Sequence, residues 1–552
     1  MKLYIFSLFS VLFFVANAQT LADVVWVNSA GGNSTDLASS ISVDSLGNTY
    51  SVGRFTPPAN FGPNILTTLG LYVTKIDSDG NWVWSTSFGP FPNGIVEDVT
   101  NDLDGNVYIT GRYVGFITFG SFGLNTSDGL GEIYVAKLDT DGNWLWATAP
   151  TGNCTGSSKT IKFDGTNLVI GGGFQETCTF GADTISVPSG YQLPLVAKLD
   201  TNGNFISANT ATSIIGGANV LDLYINGPDV YVTGEFVGNI SFSSINLSSS
   251  GFLNMFVAKL DGGGMWVWAN STKSIANNGG FGTFGIGITG IGNENVFVTG
   301  YCTGVVQFGP FVLNGYLTNL QLYVGAVDVN GDWIWATLTD FKNENTTSPE
   351  SLGFDIVTNG TNLFVSGLIN GDYIFGNNNI SLPYRTQIIA SLDLNGNWTD
   401  IVVFNSSVVN LFNSKLAIYP GALYSTSSYT GTIQFSNFTL TSDSTEIYIL
   451  KINLNSTAPP VPPKPPSKLL LIILLVLFVI VLLFVILVLI KIKCHKKCDE
   501  CTEDKVCGKC DKHKRGCDKC TEKEKCDKHH KHQKHKKDDK KDKNTWEIEM
   551  SE

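Results

Sequence analysis

One motif, a strand-like aliphatic run closing on an acidic or amide residue, recurs seven times along the chain and dictates most of what it can fold into. YVTKID ends at Asp77, YVAKLD at Asp139, LVAKLD at Asp200, FVAKLD at Asp261, YVGAVD at Asp328, IIASLD at Asp393 and YILKIN at Asn453. The steps between them are 62, 61, 61, 67, 65 and 60 residues. A period of this length marks an array of like-built units that must stack to bury their apolar faces. The first six copies run into a turn and an aromatic residue: SDGNW, TDGNW, TNGNF, GGGMW, VNGDW and LNGNW. Ahead of each stands another hairpin, such as ISVDSLGNTYSVGRF or VTNDLDGNVYITGRY. These segments alternate apolar and polar residues, the two-residue period of a half-buried strand. Their Gly and Asn residues tolerate the positive φ that tight hairpin turns require. The 58 glycines and a charged fraction of 15% suit many short strands rather than helices.

Each unit therefore holds four antiparallel strands. Seven such units predict an all-β fold, a seven-bladed β-propeller spanning residues 19–455. The seventh unit stops after its third strand. A spare fourth strand stands near the N-terminus, where VVWVNS around Trp26 matches WVWSTS at Trp82. The expectation is a ring closed by that N-terminal strand, which leaves no long sheet edge exposed. An open solenoid would instead need polar caps.

The hairpins G-N-x-Y-x-x-G (Gly47, Asn48, Tyr50, Gly53; Gly105, Asn106, Tyr108, Gly111) and V-x-K-L-D followed by G-N-W resemble the β-propeller repeats of bacterial surface proteins, the SBBP type, over residues 22–455. The resemblance implies a surface module and says little about activity, since one fold hosts many functions. Phe-Gly pairs at Phe61, Phe119, Phe180, Phe308 and Phe375 also bring integrin-α-type propellers to mind, but the Asp-x-Asp-x-Asp-Gly calcium loop of those repeats is absent. The shorter Asp77-x-Asp79-Gly80 and Asp139-x-Asp141-Gly142 are explained by hairpin-turn chemistry without a metal that wants six or more oxygens.

Two apolar runs flank the repeats. Residues 1–18, one lysine, an apolar core and then Ala16-Asn17-Ala18, read as a signal peptide cleaved before Gln19. Residues 469–490 carry no polar side chain and are long enough for a membrane-spanning helix. Lys491, Lys493, Lys496 and Lys497 follow, which places the tail, 491–552, on the cytosolic side. Between repeats and span, residues 456–468 include STAPPVPPKPPS, a stiff proline-rich stalk. The expected product is a single-pass type I membrane protein with the propeller outside, on a cell surface or viral envelope. The net charge of −12 is split: the tail holds 20 Lys+Arg against 15 Asp+Glu, leaving 16 against 33 for the rest. So acidic an outer part is not built for nucleic acid.

In the tail, Cys498, Cys501, Cys507 and Cys510 are followed by Cys517, Cys520, Cys526 and His529 at matching spacing. Each set offers four soft ligands for tetrahedral zinc, the cofactor this sequence suggests; a disordered thiol-bearing tail is the other reading. Outside, Cys154 and Cys178 are candidates for a disulfide between loops on one face, or for two free thiols, and Cys302 reads as a buried free thiol. Asn-x-Ser/Thr sequons begin at Asn33, Asn125, Asn153, Asn239, Asn246, Asn270, Asn345, Asn359, Asn379, Asn397, Asn405, Asn437 and Asn455, and several are expected to carry glycans.

The long 4→1 and 2→3 connections, such as 270–285 and 341–352, are the expected recognition surface. All six histidines lie in the tail, which removes His-based triads from the outer part. No acidic residue stands out from the turn aspartates. The chain is therefore expected not to be an enzyme but a binding or adhesion glycoprotein, with an extracellular protein or glycan as partner. The alternatives are a structural envelope or coat protein without a ligand, and an extracytoplasmic hydrolase acting through carboxylates.

Overall fold

The computed structural model describes residues 21–454, apart from residues 69, 127–129, 189, 250–252, 276–281, 317–318, 342–348 and 407–413. Among the described residues the fold is all-β, with no helix. Its strands pair antiparallel in successive sets of four, here called modules. Module 1 comprises Leu37–Val43, Thr49–Phe55, Gly70–Ile76 and Trp82–Phe88, paired in that order. Modules 2 to 6 repeat the order and end with Trp398–Ser406. Module 7 takes Lys415–Tyr419, Ala422–Phe435 and Phe438–Leu454 from the end of the repeats. Its outer partner is the N-terminal strand Leu21–Gly32, with Leu21 opposite Leu454, Trp26 opposite Lys451 and Ala30 opposite Ile447. The far end of this strand also pairs with Ala59–Phe61, so it bridges modules 7 and 1.

The turn aspartates close the 3→4 hairpins. The Asp77 carboxylate accepts the N–H groups of Asp79 and Asn81 at 3.0 and 2.8 Å and the Asn81 amide at 2.9 Å. Asp139 repeats this with Asp141 and Asn143. Gly80 follows with φ +92°, and a Cβ there would lie 2.8 Å from the Trp26 ring. Glycine is needed twice over, for the left-handed backbone and for the indole that lies on it. The same contact joins Gly142 to Trp84, Gly203 to Trp146, Gly331 to Trp268 and Gly396 to Trp335. In each pair the tryptophan is on the outer strand of one module and the turn belongs to the next.

The 2→3 connections differ from the long connections expected. They are short hairpins, such as Ala59–Phe61 with Asn64–Leu66 and Phe116–Phe119 with Phe122–Asn125. The Phe-Gly pairs form their tips: glycine takes the positive φ, as at Gly62 and Gly120, and the phenylalanine turns inward. Phe61 meets Trp82 edge-on at 5.9 Å, Phe119 meets Trp144 at 5.2 Å and Phe308 meets Trp333 at 5.0 Å. Burying such a ring anchors the hairpin to its own module. The larger core lies between neighbouring modules, where Tyr50, Val52 and Val73 of module 1 pack with Val99, Val107 and Ile109 of module 2.

Where the N-terminal strand meets module 1, Asp36 is fully buried. It accepts the N–H of Thr56 at 2.7 Å and of Gly32 at 2.8 Å. Burial pushes its pKa up to about 6, against the pull of those two N–H groups and with a small push from Glu446.

Candidate functional site

The first strands of modules 1 to 6 each carry a register shift, between Ala38 and Ser40, Val96 and Asp98, Ser158 and Thr160, Val220 and Asp222, Gly285 and Gly287, and Gly353 and Asp355. A bulge re-aims the side chain that follows it. Here the residues after the bulge line a common cavity of about 270 Å³: Ser40, Asp98, Thr160, Asp222 and Asp355, together with Ile288 of module 5 and Lys415 of module 7. All seven first strands contribute to this one space.

The three carboxylates come from alternate modules and are placed alike. Asp98 accepts the N–H of Val99 in its own strand and of Ile161 in the next module, both at 2.9 Å. Asp222 does the same with Leu223 and Ile288, at 2.9 and 3.1 Å. Asp355 does so with Ile356 and Leu416, at 2.9 and 2.8 Å. The intervening modules supply smaller partners: Ser40 donates to Asp98 at 2.5 Å, and Thr160 reaches both Asp98 and Asp222, at 3.1 and 3.0 Å. Lys162 sits between these two carboxylates, 3.0 Å from Asp98 and 3.8 Å from Asp222.

The electrostatics separate two of these acids. Burial works to raise Asp98, but Lys162, the Ser40 hydroxyl and the Ile161 N–H together hold it below its usual range. Asp355 is raised, because burial and Asp222 outweigh Lys415 and Lys162. Burial opposes the charge on both lysines, yet the three carboxylates raise Lys162 and Lys415 above the ordinary lysine value.

A wider cavity of about 450 Å³ shares Glu97, Lys159, Leu221 and Lys415 with the first. It starts at the beginning of the first strands and forms the mouth. Leu37, Leu71, Ile95 and Ile286 give it apolar walls. Lys159 pairs with Glu97. The Arg54 guanidinium lies 4.6 Å from the centre of the Phe91 ring. Phe91 comes from the 4→1 connection of module 1, so this one connection does reach the cavity.

The residues singled out in the sequence lie elsewhere. Cys154 and Cys178 are joined in a disulfide, but they stand on the long paired strands Thr151–Phe163 and Leu168–Phe180 rather than in loops. Cys302 is free and buried, and burial pushes its thiol up to about 12. Asn33, Asn125, Asn153, Asn239, Asn246, Asn379 and Asn437 are exposed. Asn397 is exposed as well, but its amide nitrogen donates to Asp393 at 2.9 Å. The Asn270 amide donates to the Gly331 carbonyl of the next module, so a glycan there would displace an inter-module bond. Asn359 folds its side-chain oxygen back onto its own turn, accepting the Asn362 N–H at 2.8 Å. Asn405 lies on the last strand of module 6. Asn345, Asn455, the signal peptide, the span 469–490 and the zinc candidates Cys498 to His529 lie outside the described residues. So do parts of the connections 270–285 and 341–352. No helix among the described residues is long and apolar enough to cross a membrane, and no group of three or more metal-ligating side chains occurs among them.

No known family description matches the chain. An uncharacterised WD-repeat-containing protein of Acanthamoeba polyphaga mimivirus is 23% identical over 241 residues, which is 37% of this chain. The match spans only 17% of that relative's length. Solved structures of similar outline include a protein from Lactobacillus plantarum (11% identical, TM-score 0.38, 72% of this chain and 98% of that one). A neuraminidase-like protein from a flat-faced bat isolate is 9% identical, with a TM-score of 0.32, 80% of this chain and 97% of that one covered. An exo-1,5-alpha-L-arabinanase from a bovine ruminal metagenomic library is 9% identical, with a TM-score of 0.27, 67% of this chain and 97% of that one covered. At these values the likenesses are of propeller-like fold and carry no argument about what this chain does.

The expectation that the chain is not an enzyme is withdrawn, since structures of similar outline include enzymes such as the arabinanase; no activity of this chain follows from them. The physical reason is plain. That expectation rested on missing histidines, whereas glycoside hydrolysis runs on carboxylates. Nor do all the acids belong to turns: Asp98, Asp222 and Asp355 meet in one cavity.

Proposed function

We propose that residues 19–455 form a seven-bladed propeller, latched by the N-terminal strand, and that it serves as the binding module of a single-pass surface glycoprotein. The ring reading is supported by the pairing of Leu21–Gly32 with Phe438–Leu454 and by the contribution of all seven first strands to one cavity. The membrane span at 469–490, the glycans and the zinc-holding tail rest on the sequence alone. The binding reading rests on one observation, the mouth of about 450 Å³, which is within the size range of small-ligand sites and mixes apolar walls with a few charged groups. An array of glycans and extracellular proteins probed with the full chain tests it. Leu221→Arg, which fills the mouth, should abolish every specific signal; signals that survive it place recognition elsewhere.

A second reading is hydrolysis through carboxylates. Asp98 held low and Asp355 held high in one cavity is the kind of separation that divides a base from an acid. A panel of chromogenic glycosides tests this reading. Turnover by the wild type that falls at least about a hundredfold in Asp355→Asn supports it; no turnover of any glycoside removes that support.

A further inference from the structure

We propose that the mouth takes a small organic carboxylate with an apolar body, bound through Arg54. The inference rests on the mouth being the binding site and goes further by fixing the charge and polarity of what enters.

The mouth presents three cations, Arg54, Lys159 and Lys415, against one carboxylate, Glu97. Glu97 is spent on Lys159. Lys415 is kept charged by the combined field of Asp355, Asp222 and Asp98 at the deep end, although it makes no direct ion pair among the described residues. Arg54 differs from both. Its contact is with the face of Phe91, and among the described residues no carboxylate pairs with it. Counted over both cavities, four cations stand against four carboxylates, yet the balance is uneven. The three aspartates are lodged against backbone N–H groups at the deep end, while Arg54 stands uncommitted at the outer end.

An arginine whose face is covered by an aromatic ring keeps its edge of N–H donors for a ligand, and that planar fork matches the two oxygens of a carboxylate. One uncommitted positive charge is matched by a monoanion. The aliphatic walls, from Leu37, Ile95, Leu221 and Ile286, offer nothing to a strongly hydrated ion but gain from covering an apolar body. Both halves of the ligand are thus specified by the surface that would meet it.

The test uses the full chain in uncharged detergent and measures equilibrium binding of phenylacetate, phenylacetamide and acetate. Phenylacetate should bind saturably. Its neutral and its truncated analogue should each bind roughly tenfold or more weakly, the first for want of a charge-assisted hydrogen-bonded contact and the second for want of the apolar body that the walls would cover. Arg54→Gln should weaken phenylacetate by a similar factor and leave phenylacetamide unchanged, and Arg54→Lys should fall between. Equal affinity for phenylacetate and phenylacetamide overturns the proposal while leaving the mouth as a binding site. An unchanged phenylacetate affinity in Arg54→Gln, or displacement of phenylacetate by equimolar inorganic phosphate, overturns it too. Absence of saturable binding by any of the three overturns it as well, and the array experiment then decides separately whether the mouth binds anything else.

Discussion

The indole N–H of Trp26 donates to the carbonyl of Ser78 at 3.3 Å, which ties the outermost strand of module 7 to the 3→4 turn of module 1. Trp84 makes the same bond to Thr140 at 2.9 Å, Trp146 to Thr201 at 3.2 Å, Trp268 to Val329 at 2.8 Å and Trp335 to Leu394 at 3.0 Å. The N-terminal strand thus makes the contact that an outer strand makes elsewhere in the array. Asn28 strengthens it by donating to Gly80 at 2.8 Å. Trp26→Ala should therefore cost about 3–5 kcal/mol, the usual penalty for emptying a buried aromatic site. Trp84→Ala should fall within about 1 kcal/mol of it in the same urea titration, since both lose one ring contact and one hydrogen bond.

Asp98 is the carboxylate with most at stake. Removing it leaves Lys162 without its nearest partner and the Ile161 N–H without an acceptor. Asp98→Ala should destabilise the fold by about 3 kcal/mol or more. Asp77→Ala, in an exposed turn, should cost about 1 kcal/mol. Chemical unfolding of the two variants side by side checks the difference, and equal losses would mean that the central cluster adds nothing beyond turn chemistry.

Asp36 supplies a pH dependence of definite sign. Its value in the fold, about 6, lies above the ordinary 3.8, so the fold favours the protonated acid. The stability tied to this group is fully present below pH 3.8 and is lost as pH rises through about 6. Relative to Asp36→Asn, the wild type should lose up to about 3 kcal/mol across that window. Melting curves of both proteins at matched pH values measure it; parallel curves would refute it.

The Cys154–Cys178 bridge closes a segment of 24 residues. Opening it should lower stability by about 2–3 kcal/mol, chiefly by freeing the unfolded chain. The Cys154→Ser, Cys178→Ser double variant should show this loss in melting curves, and a reductant should then have no further effect on the described fold. Peptide mapping without reduction should find the two cysteines linked.

The fold was legible because the repeat is written in turn chemistry and alternation, both local. The fourth strand that the last repeat lacks has its like at Trp26, where VVWVNS matches WVWSTS. The charged cluster lies outside the turn pattern, although the sequence carries a signal for it. Turn aspartates such as Asp77 and Asp139 lead into Gly-Asn, whereas Asp98, Asp222 and Asp355 are followed at once by Val99, Leu223 and Ile356. An acid at a buried strand position is disfavoured unless something compensates it. The numerous turn acids hid the three that break this rule. The bulges that aim them inward leave no mark in the sequence, and neither does the meeting of residues more than a hundred positions apart. The 2→3 connections misled in the opposite way. Their length reads as loop, and only the phenylalanine at each tip shows that they are folded back.

Because Leu21 lies opposite Leu454, the N-terminal strand can meet Ala59–Phe61 of module 1 early but cannot pair with its module 7 neighbour until nearly the whole array has been made. Modules 1 to 6 can assemble from near neighbours as they emerge, while the opening strand waits for a partner 433 residues away. Until then Phe438–Leu454 lacks the strand that covers its outer edge. A nascent chain stalled before residue 438 lacks the partner of that strand and should consequently be prone to donating it to another copy.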